Sequence, residues 1–184
     1  MRIEITTALL ASASLCFTAR AQRSDSVRIS TPVAPVARAS RRVGDIQIDG
    51  SLDDSAWRAA TPITGLRQYQ PQEGAPASLP TEIRLLYDDE ALYIGARMSE
   101  PTGAGGVRAP LARRDQLLDA NGNNGSFNSL TTDKLVVVLD PYHNHRDEAL
   151  FEVNPAGVRG DQLNGDQGWD PIWTAATKID SLGW

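Results

Sequence analysis

The stretch Ile48-Asp49-Gly50-Ser51-Leu52-Asp53-Asp54-Ser55-Ala56-Trp57 joins the end of a predicted strand, a tight turn and the start of a predicted short helix. Ile46 and Ile48 alternate with polar neighbours, as in a strand with one buried face. Asp49-Gly50 then ends the strand, because glycine readily adopts the positive φ that a tight turn needs. The stretch therefore predicts a strand that turns sharply into the next element.

A helix of one or two turns is expected directly after this turn. Three consecutive residues are of types that cap helix N-termini, namely Asp53, Asp54 and Ser55. The helix is limited to residues 56–60, because Pro62 stops it. Trp57 would lie on its inner side and close one end of the structure that the strands build. We interpret the acidic residues here as turn and cap residues rather than as catalytic groups.

The first 21 residues have the pattern of a secretory signal peptide. Arg2 precedes a short apolar run over residues 5–17, and Ala19-Arg20-Ala21 fits a small-x-small cleavage site. The alternative is an uncleaved N-terminal anchor, although the run is short for a membrane span. The single cysteine, Cys16, lies inside this segment. The sequence thus predicts an exported protein, in the periplasm, at the outer membrane or outside the cell, with no disulfide in its mature form.

Composition and length favour one acidic domain after a linker. Residues 22–40 are rich in Ser, Ala, Arg and Pro and are expected to form a linker that leads into a first strand. Residues 41–184 suit one domain. The chain has 18 Lys and Arg against 23 Asp and Glu, a net charge of −5. This balance argues against a nucleic-acid partner, whose phosphates require clustered positive charge.

The remaining sequence predicts short strands and no long helix. Residues 81–98 alternate with period two on both sides of Asp88-Asp89-Glu90, which predicts a β-hairpin. Apolar or alternating runs predict further strands over residues 134–139, 148–153, 158–163 and 173–179. The run over residues 134–139 is continuously apolar, so this strand is expected to be buried on both faces. Seven to nine strands with frequent turns predict an all-β fold, an antiparallel, jelly-roll-like β-sandwich. Residues 180–184 provide one aromatic of a next strand, so we expect the sandwich to be incomplete at its C-terminus.

Tryptophan placement is the main functional signal. Three of the four Trp lie near the end of the chain: Trp169, Trp173 and Trp184. Aromatic rings stack on the C–H faces of sugars, and Arg, amide and carboxylate groups bind the hydroxyls. Trp169, Trp173, Tyr142 and Arg97 are therefore candidate carbohydrate-binding residues. The alternative for the Trp residues is a role in core or edge packing.

Two segments have partial metal-binding character. His143 and His145 have a spacing that could contact a metal, and the alternative is two exposed loop histidines. Residues 119–124 resemble the start of a calcium loop, but they lack the glycine at the sixth position, and Leu130 stands where the closing Glu should be. The metal is left unassigned. A structural calcium ion held by scattered oxygens is compatible with the sequence, and no other cofactor is expected.

Catalytic signatures are weak in this chain. There is no cysteine after residue 21, no Gly-x-Ser-x-Gly motif and no phosphate-binding loop. Carboxylates are numerous, so pairs spaced for glycoside hydrolysis occur by chance. A glycoside hydrolase fragment is the alternative that we rank lowest, and no catalytic residue is assigned.

Several segments together resemble carbohydrate-binding module family 9. They are the decapeptide 48–57, Thr81-Glu-Ile-Arg-Leu-Leu-Tyr-Asp-Asp-Glu-Ala-Leu-Tyr-Ile94, Asp133-Lys-Leu-Val-Val-Val-Leu-Asp140, Phe151-Glu-Val-Asn154 and Gly183-Trp184. More narrowly, residues 111–115, 140–143 and 153–158 resemble a family-9-like domain at the N-terminus of large exported bacterial proteins, followed by a long β-rich region. The resemblance implies a β-sandwich that binds polysaccharide or oligosaccharide without catalysing a reaction itself.

The resemblance also implies where a sugar would bind. Members of the family clamp a terminal sugar between two aromatic rings, one of them just before the strand that begins here at Asp133. Phe127 and Leu130 occupy that window, and Phe127 is the candidate. Polar contacts would come from strand positions that here hold Val136 and Glu152. The second aromatic belongs to a region beyond Trp184, so a C-terminal domain of the same protein is an expected partner. The alternative is a sandwich that packs on that β-rich region and binds no sugar.

Overall fold

The computed structural model describes residues 36–115 and 132–184. The first sheet has three strands, β1 (Ser40–Arg41), β2 (Thr81–Tyr87) and β3 (Leu92–Met98). β1 is parallel to β2, and β2 pairs with β3 in antiparallel register from Thr81 opposite Met98 to Tyr87 opposite Leu92. The predicted hairpin over residues 81–98 is therefore confirmed. β1 begins at Ser40, the last residue of the range 22–40 that was predicted to lead into a first strand.

Asp88 organises the turn between β2 and β3. Its Oδ1 accepts hydrogen bonds from the backbone N–H groups of Glu90 and Ala91, each at 2.9 Å. Its Oδ2 accepts from Arg42 Nε at 2.8 Å and from the Tyr93 hydroxyl at 2.9 Å. The bond from the Glu90 backbone N–H is the main reason that the pKa of Asp88 lies far below its ordinary value. One carboxylate thus ties the turn to the segment that follows β1.

Asp88→Asn is expected to lower stability at pH 7 and to lose its effect in acid. A carboxyl group whose pKa is lower in the folded than in the unfolded protein stabilises the fold at a pH above its unfolded-state pKa, about 3.9. This contribution to stability falls as the pH drops below that value. The difference in urea midpoint between wild type and variant should therefore be largest at neutral pH and shrink below about pH 4. Asp89→Asn is the control, because Asp89 is 82% exposed in its ion pair with Arg41. Equal effects of the two substitutions would contradict the role given to Asp88.

The short helix α1 (Ser55–Ala59) packs on one face of this sheet. Trp57 is 3% exposed and lies with Ala56, Ala60 and Leu86 in the core. Gly95 permits this contact, since a Cβ there would lie 3.0 Å from the indole ring and 2.6 Å from Leu52 Cδ2. The predicted helix and the buried Trp57 are confirmed.

The end contacts of α1 differ from the prediction. Asp54 stands at the N-cap, but its side chain caps no helical N–H group. Its Oδ2 instead accepts the backbone N–H of Gln47 at 2.9 Å, because the sharp turn at Gly50 brings residues 46–48 back to the helix start. These residues form no strand, contrary to the prediction, because no neighbouring backbone in the described residues pairs with them. At the other end, Arg84 Nη1 donates to the carbonyls of Trp57 and Ala60 at 2.8 and 3.0 Å. A neighbouring strand therefore satisfies helix-end groups that the sequence alone leaves open.

The second sheet is antiparallel, with the order β4 (Leu135–Leu139), β5 (Ala149–Val153) and β6 (Arg159–Leu163). The turn predicted between the last two strands is confirmed. Asn154 is fully buried there, and its Oδ1 accepts the N–H groups of Ala156 and Val158 at 3.0 Å. A buried amide thus replaces the missing backbone partners at this end of the sheet.

The prediction that the apolar run of β4 is buried on both faces is wrong. Val138 is 48% exposed. β4 is an edge strand in the described part of the second sheet, and an edge strand presents a face and a side that its neighbours do not cover. Continuous hydrophobicity in the sequence cannot distinguish these two positions.

Residues 173–179 form no strand, contrary to the prediction. Their burial does alternate, from half-buried Trp173 to exposed Thr174 and onward, but no backbone ladder forms along them in the described residues. The segment crosses from the second sheet to the first. Thr177 Oγ1 donates to the Pro155 carbonyl at 2.9 Å, and Lys178 Nζ bonds Ser51 Oγ at 3.1 Å. Trp184 then exchanges two backbone hydrogen bonds with Met98, at 2.8 and 3.0 Å.

The described residues are strand-rich, with two small sheets, one α-helix and one 3-10 turn at Gly103–Gly105, as an all-β fold requires. Residues 36–115 and 132–184 contain six strands, and seven to nine were expected for the whole chain. Neither helical element in these ranges has the length or hydropathy needed to cross a bilayer. The predicted signal peptide and the calcium-like segment 119–124 lie outside the described residues.

Candidate functional site

An apolar cleft of about 610 Å³ lies between the two sheets. Side chains from β3, β4 and β5 line it, together with Trp57, Trp173 and Trp184. The strand residues on its lining include Ile94, Ala96, Leu135, Val137 and Phe151. Residues 172–178, which follow β6, also line the cleft, and Ile172 among them is completely exposed. The lining of the cleft is therefore mainly apolar and includes several aromatic rings.

Phe151, which lines the cleft, is the centre of an aromatic cluster. The Trp173 ring lies 5.4 Å from the Phe151 ring at an interplanar angle of 80°, and the Trp169 ring lies 5.7 Å away at 66°. Both are edge-to-face contacts of the kind that aromatic pairs prefer. The two Trp residues selected from the sequence thus come together on one ring. Phe151 was missed as a site residue, because its alternating strand pattern indicates only a packing position.

Asp161 lies directly opposite Phe151 in the register of β5 and β6 and is 1% exposed. Its Oδ2 accepts the Trp173 Nε1–H at 2.9 Å and lies 3.4 Å from Arg114 Nη2. Its Oδ1 has no hydrogen-bond partner among the described residues. Arg114 also binds Asp170 and lies 3.4 Å from Asp115. A buried carboxylate therefore anchors the indole, and a half-exposed guanidinium connects it to the rim.

Arg159 holds the other side of Trp173. Its guanidinium lies 5.5 Å from the indole centroid, and its Nη1 donates to the Trp173 carbonyl at 2.8 Å. This is a cation–π geometry reinforced by a backbone hydrogen bond. Trp173 is consequently fixed from both sides, whereas Trp169 is half-buried among exposed residues 164–168 and Asp170.

The other predicted sugar-binding residues do not join this cluster. Arg97 forms an ion pair with Asp180 at 2.6 Å at the end of β3. Tyr142 is 75% exposed in the β4–β5 loop, and Phe127 lies outside the described residues. The register places the β4–β5 loop and residues 164–170 at the same end of the second sheet. Val136 and Glu152 lie opposite each other in the β4–β5 register, and Glu152 pairs with Lys134 at 3.2 Å.

The β4–β5 loop carries a separate group of polar side chains. The carboxylate of Asp140 accepts the backbone N–H groups of His145 at 2.8 Å and Asn144 at 3.2 Å. The bond from His145 is the largest cause that lowers the pKa of Asp140. Metal-ligating atoms of Asp140, His143 and His145 all lie within 4.8 Å of one another. This is the one such group found in residues 36–115 and 132–184.

A scan against protein-family models found no match for the chain, and searches of curated proteins and of solved structures also found none. The resemblance to carbohydrate-binding module family 9 therefore stays a prediction from the sequence motifs.

Proposed function

We propose that the protein is a family-9-like β-sandwich that binds carbohydrate as a non-catalytic module of an exported protein involved in carbohydrate catabolism. The observation that carries this proposal is the cluster of Trp169 and Trp173 on Phe151, next to the Asp161–Arg114–Asp170 group. It combines an aromatic platform with charged hydrogen-bonding groups. The ligand is an oligosaccharide or polysaccharide.

The two Trp residues have different tasks in this proposal. Trp173 donates its Nε1–H to Asp161, so its ring is oriented before any ligand arrives. Trp169 lies beside exposed polar groups and provides the face on which a sugar ring stacks. Asp170, 69% exposed, and Arg114, 40% exposed, are close enough to this platform to bind hydroxyl groups. Pre-ordered aromatic rings reduce the entropy cost of binding.

No hydrolysis is assigned to this domain. Asp161 is buried and already accepts hydrogen bonds from Trp173 and Arg114, and Asp170 pairs with the same guanidinium. Glycosidic bond cleavage needs one carboxylic acid and one carboxylate on either side of the bond. We place any such activity in other domains of the same protein.

Trp169→Ala is expected to weaken oligosaccharide binding at least about tenfold, or ~1.4 kcal/mol, because it removes the exposed stacking face. Isothermal titration with cello- and xylo-oligosaccharides measures the effect. Tyr69→Ala is the matched control, since Tyr69 is an aromatic residue 68% exposed in the irregular segment between α1 and β2. Absence of heat with every glycan tested on the wild-type protein would refute the proposal.

A second candidate function is attachment to a β-rich, outer-membrane-associated region of the same protein, without sugar binding. The apolar cleft and the fully exposed Ile172 favour it, because a large apolar opening is typical of an interaction surface. Its test is a stable complex between this domain and that region when the two are expressed separately. A stable complex together with silent glycan titrations would select this candidate over the first.

A further inference from the structure

We propose that Asp140, His143 and His145 form a binding site for one Zn²⁺ ion or a chemically similar divalent transition-metal ion. The three side chains offer one carboxylate oxygen and two imidazole nitrogens within 4.8 Å of one another. Zn²⁺ binds such ligands at about 2.0–2.2 Å, so in a tetrahedral site the ligand atoms lie roughly 3.4 Å apart. Small rotations of two exposed imidazole rings close that difference. A water molecule would take the open fourth position.

The backbone of the loop supports the same conclusion. His143 and His145 have φ angles of 49° and 57°, in the left-handed region. Glycine would adopt this conformation without strain, yet the sequence places an imidazole at both positions. The centroids of the two rings lie 4.8 Å apart, and His145 Nδ1 lies 3.9 Å from Asp140 Oδ2.

The loop is held in this arrangement by hydrogen bonds from outside the three ligands. Asn144 Oδ1 accepts the N–H groups of Arg146 and Asp147 at 2.9 and 3.0 Å. Asp147 binds both Asn144 Nδ2 at 2.6 Å and Asn164 Nδ2 at 3.0 Å. Asn164 Oδ1 in turn accepts the Glu148 N–H at 2.8 Å. A ligand set that is positioned before the ion arrives binds with a smaller ordering cost.

The ligand types decide the class of ion. Two imidazoles and one carboxylate suit Zn²⁺, Ni²⁺ or Cu²⁺, whereas Ca²⁺ takes six to eight oxygen ligands and Mg²⁺ keeps an octahedral oxygen shell. This site is therefore distinct from the structural calcium ion that the sequence leaves open. It is also separate from the aromatic cluster, so it does not depend on the proposed carbohydrate binding.

The test is isothermal titration of the purified chain with ZnCl₂, and in parallel with CaCl₂. One Zn²⁺ per chain is expected, with no heat from Ca²⁺. His143→Gln, His145→Gln and Asp140→Asn should each weaken Zn²⁺ binding at least about tenfold. Asn144→Ala retains all three ligands but loosens the loop, so it should weaken binding by a smaller factor.

Asp89→Asn is the control for nonspecific carboxylate binding, because Asp89 is an exposed acid on the first sheet. The two His variants should keep the wild-type circular dichroism and unfolding midpoint, because their side chains are exposed. Circular dichroism of Asp140→Asn and Asn144→Ala checks that these variants are folded. Unsaturable Zn²⁺ binding, or equal affinity of Asp140→Asn and wild type, would overturn the proposal. Equal affinity would mean that the two histidines bind Zn²⁺ without Asp140.

Discussion

Trp57→Ala is expected to remove about 3–5 kcal/mol from the free energy of unfolding, the cost typical of deleting a buried aromatic side chain. Trp57 is 3% exposed, and it packs on Leu86, which is fully buried. A typical domain has only about 5–15 kcal/mol of stability in total. The variant should therefore lose a large fraction of its stability. Urea denaturation followed by circular dichroism measures the change.

Trp57→Phe separates the contribution of ring volume from that of the indole N–H. Trp57 Nε1 is buried without a hydrogen-bond partner among the described residues, which by itself costs stability. Phenylalanine keeps an aromatic ring in the same place and removes this unpaired donor. Trp57→Phe should therefore lower the free energy of unfolding by less than about 1.5 kcal/mol. A loss in Trp57→Ala as small as this would show that α1 does not cover the core of the first sheet.

Gly50→Ala is expected to be the second large effect, about 2–4 kcal/mol in unfolding free energy. Gly50 has φ +84°, which strains any other residue. In addition, a Cβ at this position would lie 2.7 Å from the Thr177 carbonyl carbon and 2.9 Å from the Lys178 nitrogen. Backbone atoms cannot rotate out of the way as a side chain does. The segment that connects the two sheets would have to move.

Gly74→Ala is a matched control for the backbone strain alone. Its φ is +77°, and a Cβ there meets no atom within 4 Å. Thermal unfolding of the two variants under identical conditions should show a clearly larger loss for Gly50→Ala. The difference between the two losses measures the clash of the added Cβ with residues 177–178. Equal losses would contradict the path of the crossing segment.

Two of the candidate site residues could be chosen from the sequence, and their partners could not. Trp169 and Trp173 are conspicuous because tryptophan is rare and they lie near polar residues. Phe151 and Asp161 look like ordinary strand residues, and only the pairing of β5 with β6 places them opposite each other. Arg114 is 47 residues from Asp161 in sequence, so no spacing could link them. Arg97 and Tyr142 were plausible by residue type, but strand direction and loop position keep them out of the cluster.

The sequence by itself determined the features that arise from local chemistry. Alternating side chains defined the hairpin, Asp49-Gly50 the tight turn, Pro62 the limit of α1, and Asn154 to Gly157 the turn before β6. Each depends on the φ preferences and hydrogen bonds of residues a few positions apart. Such information is present in any short window of the chain.

Only the tertiary structure decided which strands lie at an edge and which side chains share a site. The apolar run of β4 and the alternating residues 173–179 have the patterns of paired strands, yet one has an exposed valine and the other has no ladder in the described residues. Pairing requires a partner backbone that comes from distant sequence, and residue patterns carry no record of that partner. For the same reason, the Phe151 cluster and the Asp140–His143–His145 group emerge only when strand register and loop conformation are known.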